Sequence, residues 1–236
     1  FEIFRQAFEK RGITACICDI RELKYIDGIL KTPDGTRIDA IYRRAVTSDI
    51  MKHYDEVKDV INAACDKKVR LIGDFFTQII HNKVLYKIIH LPETLAMLTR
   101  KEQLYVYHHV PYTMMLSKDN IDDVIRNKDR WILKPEDSYG SKGVYAGVEY
   151  SQDEWEQKVR GVKMGEYILQ EFCMPYTNYN YEFDGNSLNR IKFYNLTGMY
   201  VYNGKLKGMY SRISKSPIIS TQYSEMAIPT IIVDET

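Results

Sequence analysis

The stretch richest in usable chemistry is Trp131-Ile-Leu-Lys-Pro-Glu-Asp-Ser-Tyr-Gly-Ser-Lys-Gly-Val-Tyr-Ala-Gly147. An apolar run ends in Lys134 and Pro135. A polar loop of Ser138, Tyr139, Gly140, Ser141, Lys142 and Gly143 follows before the chain turns apolar again. Lys134 stands at the exit of a predicted strand, where a rigid support can aim its ammonium. Ile132 and Lys134 are two apart and so share one strand face, which sets an apolar wall beside a cation. The loop offers backbone N–H groups, hydroxyls and Lys142, and its glycines let a ligand approach the backbone closely. Such donors suit a polyphosphate. The stretch contains neither Gly-x-x-x-x-Gly-Lys-Ser/Thr nor Gly-x-Gly-x-x-Gly, so it is not a Walker loop or a dinucleotide fingerprint. Taken alone, a polar hairpin loop joining two strands accounts for it equally well.

These residues need elements to hold them. The pattern predicts a helix over 1–11 closed by Gly12, an apolar strand over 13–18, and a hairpin built around Thr32-Pro-Asp-Gly35. A helix from Ser48 or Asp49 to about Lys67 and a strand at 69–73 complete a small α/β domain with a largely parallel sheet. After Pro92 come a helix over 93–104, a strand at 110–116 and a helix at 121–127. Strands at 131–135 and 143–148 flank the polar loop. Ser151-Gln-Asp-Glu154 reads as a capping box that opens the helix 155–162, with Trp155 as a core anchor. Tyr167-Ile-Leu-Gln-Glu-Phe-Cys173 reads as a third strand. Beyond Tyr179 strands dominate, turned at Asp184-Gly185-Asn186 and Asn203-Gly204.

Composition removes several classes. In 236 residues, 33 basic side chains face 32 acidic ones, so no net charge draws the chain to nucleic acid or membrane. Neither partner is expected, and no feature fixes an oligomeric state. The 44% apolar content is that of an ordinary globular protein, and no apolar run approaches the ~20 residues of a membrane span. Cys16, Cys18, Cys65 and Cys173 lack metal or disulfide spacing and are read as small buried apolar side chains in a reducing, cytoplasmic setting. His108 and His109 are adjacent and cannot share a face, which argues against a metal pair. Asp122 and Asp123 suit the first turn of a helix. No Ser/His/Asp or Cys/His set stands out. The chain opens on Phe1, and a truncated first domain is expected.

The strand lysine, glycine loop, capped helix and Gln-Glu strand occur in an order that resembles the ATP-grasp superfamily. Ile132-Leu-Lys-Pro with Tyr139-Gly-Ser-Lys-Gly-Val looks like its strand lysine and flexible phosphate loop. Leu169-Gln-Glu-Phe-Cys resembles its hinge strand. More narrowly, the chain is similar to the glutathionylspermidine synthase-like branch and to bacterial carboxylate–amine ligases of that core, over roughly residues 40–215. The resemblance implies α/β and α+β architecture: an N-terminal Rossmann-like domain (1–90), then an ATP-grasp fold of two α+β subdomains (91–169 and 170–236), the last expected to be incomplete. Ile41-Tyr-Arg-Arg44 and Asn82-Lys83 would belong to the first domain.

It further implies ATP and Mg²⁺, with small-molecule or peptide carboxylate and amine substrates joined through an acyl phosphate. Lys83 and Lys134 would hold phosphates, and Gln170, Glu171, Phe172 and Cys173 would line the adenine site beside Ile132. Arg212 would stabilise the moving γ-phosphoryl group. For each cation the alternative is a surface side chain with a buried stem. A late acid and a Glu-x-Asn pair would hold the metal. After Arg212 the sequence offers Glu225, Asp234 and Glu235 and no Glu-x-Asn, while Asp184 and Asn186 suit a turn. The metal ligands therefore stay unassigned. A nucleotide-binding module without catalysis is the alternative function, and a scaffold that has lost ATP is a third.

Overall fold

The structure is a computed structural model that describes residues 1–220 and 225–231. It is a mixed α/β chain with four sheets among the described residues. It divides into two compact units, Phe1–Ile80 and His81–Thr236.

In the first unit, helix α1 (Glu2–Glu9) ends before Gly12, whose φ of +75° supplies the left-handed exit expected of a glycine. Strands β1 (Lys24–Ile26) and β2 (Ile29–Lys31) form a hairpin turned at Asp27-Gly28, both left-handed. The Thr32-Pro-Asp-Gly35 turn is present, closed by Gly35 N–H on Thr32 O at 2.9 Å, but beyond it only one bridge forms, Lys31 to Arg37. The expected second arm pairs elsewhere: β3 (Ala40–Tyr42) runs parallel to β4 (Arg70–Ile72).

The helix expected after Ser48 is two helices, α2 (Thr47–Lys52) and α3 (Tyr54–Cys65), separated at His53. Val60 and Ala63 of α3 pack with Leu23, Leu30 and Val69, and Val57 of the same helix is also buried. Residues 13–18 belong to no strand and have no ladder partner among the described residues, so the expected strand is absent. All four cysteines are exposed, contrary to the expected burial. Helix α4 (Gln78–His81) leads out of the unit.

The second unit begins with helices α5 (Val84–Ile89), α6 (Pro92–Ala96) and α7 (Arg100–His109). The expected helix at 93–104 is split because Thr99 caps a fresh helix reciprocally with Glu102. A four-stranded antiparallel sheet follows, in the order β5 (Thr113–Met115), β8 (Tyr167–Glu171), β6 (Trp131–Pro135), β7 (Tyr145–Ala146). Helices α8 (Ile121–Arg126) and α9 (Gln152–Gly161) cover one face. Trp131, Leu133 and Leu169 from the strands meet Val124, Trp155 and Val159 from the helices there. Trp155 is fully buried and donates its indole N–H to Val124 O at 3.1 Å, the core role its position predicts. Ser151 and Glu154 form the capping box at the start of α9. The strand expected over 143–148 is only two residues long, because Gly143 is left-handed and Gly147 starts a tight turn (Gly147–Glu149).

The second sheet of this unit is an antiparallel meander of β9 (Thr177–Phe183), β10 (Leu188–Tyr202), β11 (Lys205–Ser214) and β12 (Met226–Ile228). Asn203 and Gly204, both at positive φ, make the predicted turn between β10 and β11. No helix among the described residues is long and apolar enough to cross a membrane.

Candidate functional site

Strand alternation sorts β6 into two faces. Trp131 and Leu133 enter the helix-covered core, while Ile132 joins Val144, Ala146 and Ile218 on the other side. Lys134 shares the Ile132 face, as its spacing requires. Cross-strand register sets Gln170 opposite Ile132 and Ile168 opposite Lys134. The Lys134 ammonium donates to Gln170 Oε1 at 2.6 Å. Gln170 is buried and donates its Nε2 to Thr113 Oγ1 at 3.0 Å, and Thr113 in turn donates to Pro111 O at 3.0 Å. That chain orients the amide so that its oxygen meets the lysine.

Lys83 approaches the same place from the start of α5. Its backbone N–H donates to Glu136 O at 2.8 Å, and its ammonium donates to Ser138 O at 2.7 Å. Burial pushes the Lys83 ammonium below the usual lysine range, opposed by Asp137. Burial, then the neighbouring Lys83 charge, push Lys134 down to about 8, opposed by Cys173. Two partly desolvated cations, one of which lowers the other, are a ready receptor for an anion.

Both lysines line one cleft of about 360 Å³. From the expected set, Ile132, Ser138, Tyr139, Gly140 and Ser141 line it, as do Gln170, Glu171, Phe172 and Cys173. Lys142 and Gly143 are not among its lining residues. The Lys142 ammonium lies 5.3 Å from the centre of the Tyr139 ring. Gly143 is enclosed on its own side: a Cβ there would stand 2.8 Å from Tyr167 Oη and 3.0 Å from Pro135 Cγ. Glu171 contributes to the wall, but its carboxylate ion-pairs with Arg130 at 2.8 Å. The Glu171 and Phe172 N–H groups bond Tyr112 O and Arg130 O.

Arg212 does not join them. It lies on β11, pairs with Glu225 at 3.2 Å and stands over the Tyr210 ring at 4.9 Å, and it is not a lining residue of the cleft. Arg43 is tied to its own unit through the carbonyls of Gly73 and Ala45, each at 2.6 Å. The sequence reading missed Pro111, Val144, Pro217, Ile218 and Ile219, all of which line the cleft. The signal for the last three was the apolar group that follows Ser214-Lys-Ser216 directly after the strand.

Magnesium asks for only one or two protein carboxylates beside phosphate oxygens and waters, and those carboxylates stay unassigned among the described residues. Among them no group of three His, Cys, Asp or Glu could hold a metal ion. Glu225 is paired with Arg212. The Asp184 carboxylate is held far below its ordinary range by the N–H groups of Asn186 and Ser187 and by the Asn189 side chain, which is turn chemistry. Asp234 and Glu235 lie outside the described residues.

No protein-family model matches the chain. No curated protein matches it either. Among solved structures it is similar to the crystal structure of the D-cycloserine synthetase DcsG, with a TM-score of 0.47 and 16% sequence identity, over 98% of this chain and 70% of that one.

Proposed function

We propose that the cleft between Lys134 and the 170–173 segment binds ATP and that the protein is an ATP-dependent ligase joining a carboxylate to an amine. The observation that carries the reading is the convergence of Lys83 and Lys134 on one cleft that has an apolar side at Ile132, Val144 and Phe172. A triphosphate satisfies two mutually repelling ammoniums, and a purine suits the apolar side. In this reading 91–169 and 170–236 are the two ATP-grasp subdomains and 1–90 the domain preceding them. Loop 138–143 is the phosphate cover.

The chemistry asks for positioning and charge, not for a covalent nucleophile. A substrate carboxylate oxygen attacks the γ-phosphorus, the bond to the β-phosphate oxygen breaks, and ADP leaves. The amine then attacks the acyl carbon and displaces phosphate, losing a proton to solvent. Lys83 and Lys134 hold the nucleotide in place, and Arg212, paired with Glu225 outside the cleft's lining, takes no part. The described residues assign no metal ligand, and each step is written for the chain's own side chains.

Calorimetric titration with ATP, with and without Mg²⁺, tests the binding half. Phosphate and ADP release in the presence of candidate acids and amines tests the ligase half. A protein that binds ATP and releases no phosphate with any acid and amine pair is the nucleotide-binding module instead. The ion-paired state of Glu171, which is the carboxylate among the cleft's lining residues, favours that second reading.

A further inference from the structure

The apolar wall at 217–219 is not part of a strand, yet Ile218 is only 6% exposed and packs with Ile132, Val144 and Ala146. What sets its position is Ser216. Its N–H donates to Ser214 Oγ at 3.1 Å, its hydroxyl donates to Glu149 Oε1 at 2.5 Å, and Ser216 Oγ accepts from Ile218 N–H at 3.1 Å. Ser214, at the end of β11, is fully buried. Glu149 closes the turn after β7, and that turn is fixed from behind. Gly147 sits so close to Lys128 that a Cβ would fall 1.9 Å from the Lys128 carbonyl oxygen, and Lys128 Nζ donates to Gly147 O at 3.2 Å. A rigid turn thus reaches across to a loop that would otherwise follow only its own chain.

We propose that Glu149 and Ser216 are positioning residues that set the 217–219 wall against Ile132 and so make the cleft select ligands bearing a flat apolar group, a nucleobase, over a bare polyphosphate. The inference rests on the nucleotide-binding reading and adds to it the origin of base selectivity. The physical separation is clean. Lys83 and Lys134 take their places from α5 and β6, so the hydroxyl-to-carboxylate contact touches the apolar side of the cleft and leaves the cationic side alone. A charge-assisted hydrogen bond that holds a loop is enough to matter for a ligand that must find the loop in place.

Titration of the full chain with ATP, adenosine and inorganic tripolyphosphate tests it. Ser216→Ala and Glu149→Ala each weaken ATP and adenosine about tenfold, the worth of one such bond, and leave tripolyphosphate within about twofold of wild type. Glu149→Gln keeps an acceptor oxygen for the hydroxyl and returns ATP affinity to within about threefold. The inference is overturned if both alanine variants bind ATP as tightly as wild type, or if tripolyphosphate weakens as much as ATP. Wild-type protein that binds no ATP overturns the nucleotide reading and this inference with it, a result distinct from either of those.

Discussion

The Lys134 ammonium meets the Gln170 side-chain oxygen at 2.6 Å across neighbouring strands, and Thr113 holds the amide from the other side at 3.0 Å. The lysine is therefore pointed before any ligand arrives, which removes part of the ordering entropy from binding. Lys134→Ala should weaken ATP binding by about 1.5–3 kcal/mol, the worth of a charge-assisted contact. The circular dichroism spectrum should stay that of the folded chain. Unchanged ATP affinity in the variant would remove Lys134 from the site.

A pH dependence follows from the same group. Its folded-state value of about 8 lies below the ordinary 10.5, so between those values the unfolded chain holds more protons. Stability contributed by this group therefore rises with pH across the window from about 8 to 10.5, and the burden of the buried charge is full below it. ATP binding has the opposite sign, because phosphate needs the ammonium. Affinity should fall as pH climbs through 8 towards 9.5, and Lys134→Arg should flatten the profile. A wild-type profile flat from pH 7 to 9.5 contradicts the assignment.

What could be read from sequence was local. Ser151 and Glu154 cap α9, Asn203-Gly204 turns β10 into β11, and Ile132 and Lys134 share a face, because each depends on residues within one turn or one pleat. The failures depend on distant partners. Residues 13–18 have a strand's composition, but no strand among the described residues pairs with them. The Gln170 amide takes its orientation from Thr113, 57 residues away, and the Ser216 hydroxyl takes its acceptor from Glu149, 67 residues away. The resemblance gives Arg212 a place at the phosphates, yet it pairs with Glu225, stands over Tyr210 and is not a lining residue of the cleft.

Two glycine substitutions separate conformation from composition. Gly143 has a φ of +72° and no room for a Cβ beside Tyr167 and Pro135, so Gly143→Ala should destabilise by about 1–3 kcal/mol. Gly161, at the end of α9, lacks a positive φ and has nothing within 4 Å of an added Cβ. Gly161→Ala should be neutral or stabilise by up to about 1 kcal/mol. Thermal melting reads both, at about 2–4 °C per kcal/mol for a chain of this size. Equal effects from the two would sink the argument.

The final prediction concerns the loop and Lys83. Loop 138–143 carries three left-handed residues, Gly140, Ser141 and Gly143, of which Ser141 is not a glycine and holds a conformation that L side chains disfavour. Its root is held by Lys83, whose ammonium donates to Ser138 O at 2.7 Å. That carbonyl and a phosphate compete for the same ammonium. When a polyphosphate enters, Lys83 can turn to it, and the loop's own N–H groups can take the phosphate oxygens in exchange. Amide hydrogen exchange reports this directly. In free protein the amides of 138–143 should exchange faster than those of β6, and saturating ATP should slow them at least about tenfold, the worth of one hydrogen bond. Lys83→Met removes the anchor without adding charge, so it should speed loop exchange in free protein and weaken ATP binding together. A loop already as protected as β6 in free protein, or one whose exchange ignores ATP, would mean that 138–143 is a fixed hairpin and that phosphate is bound without it.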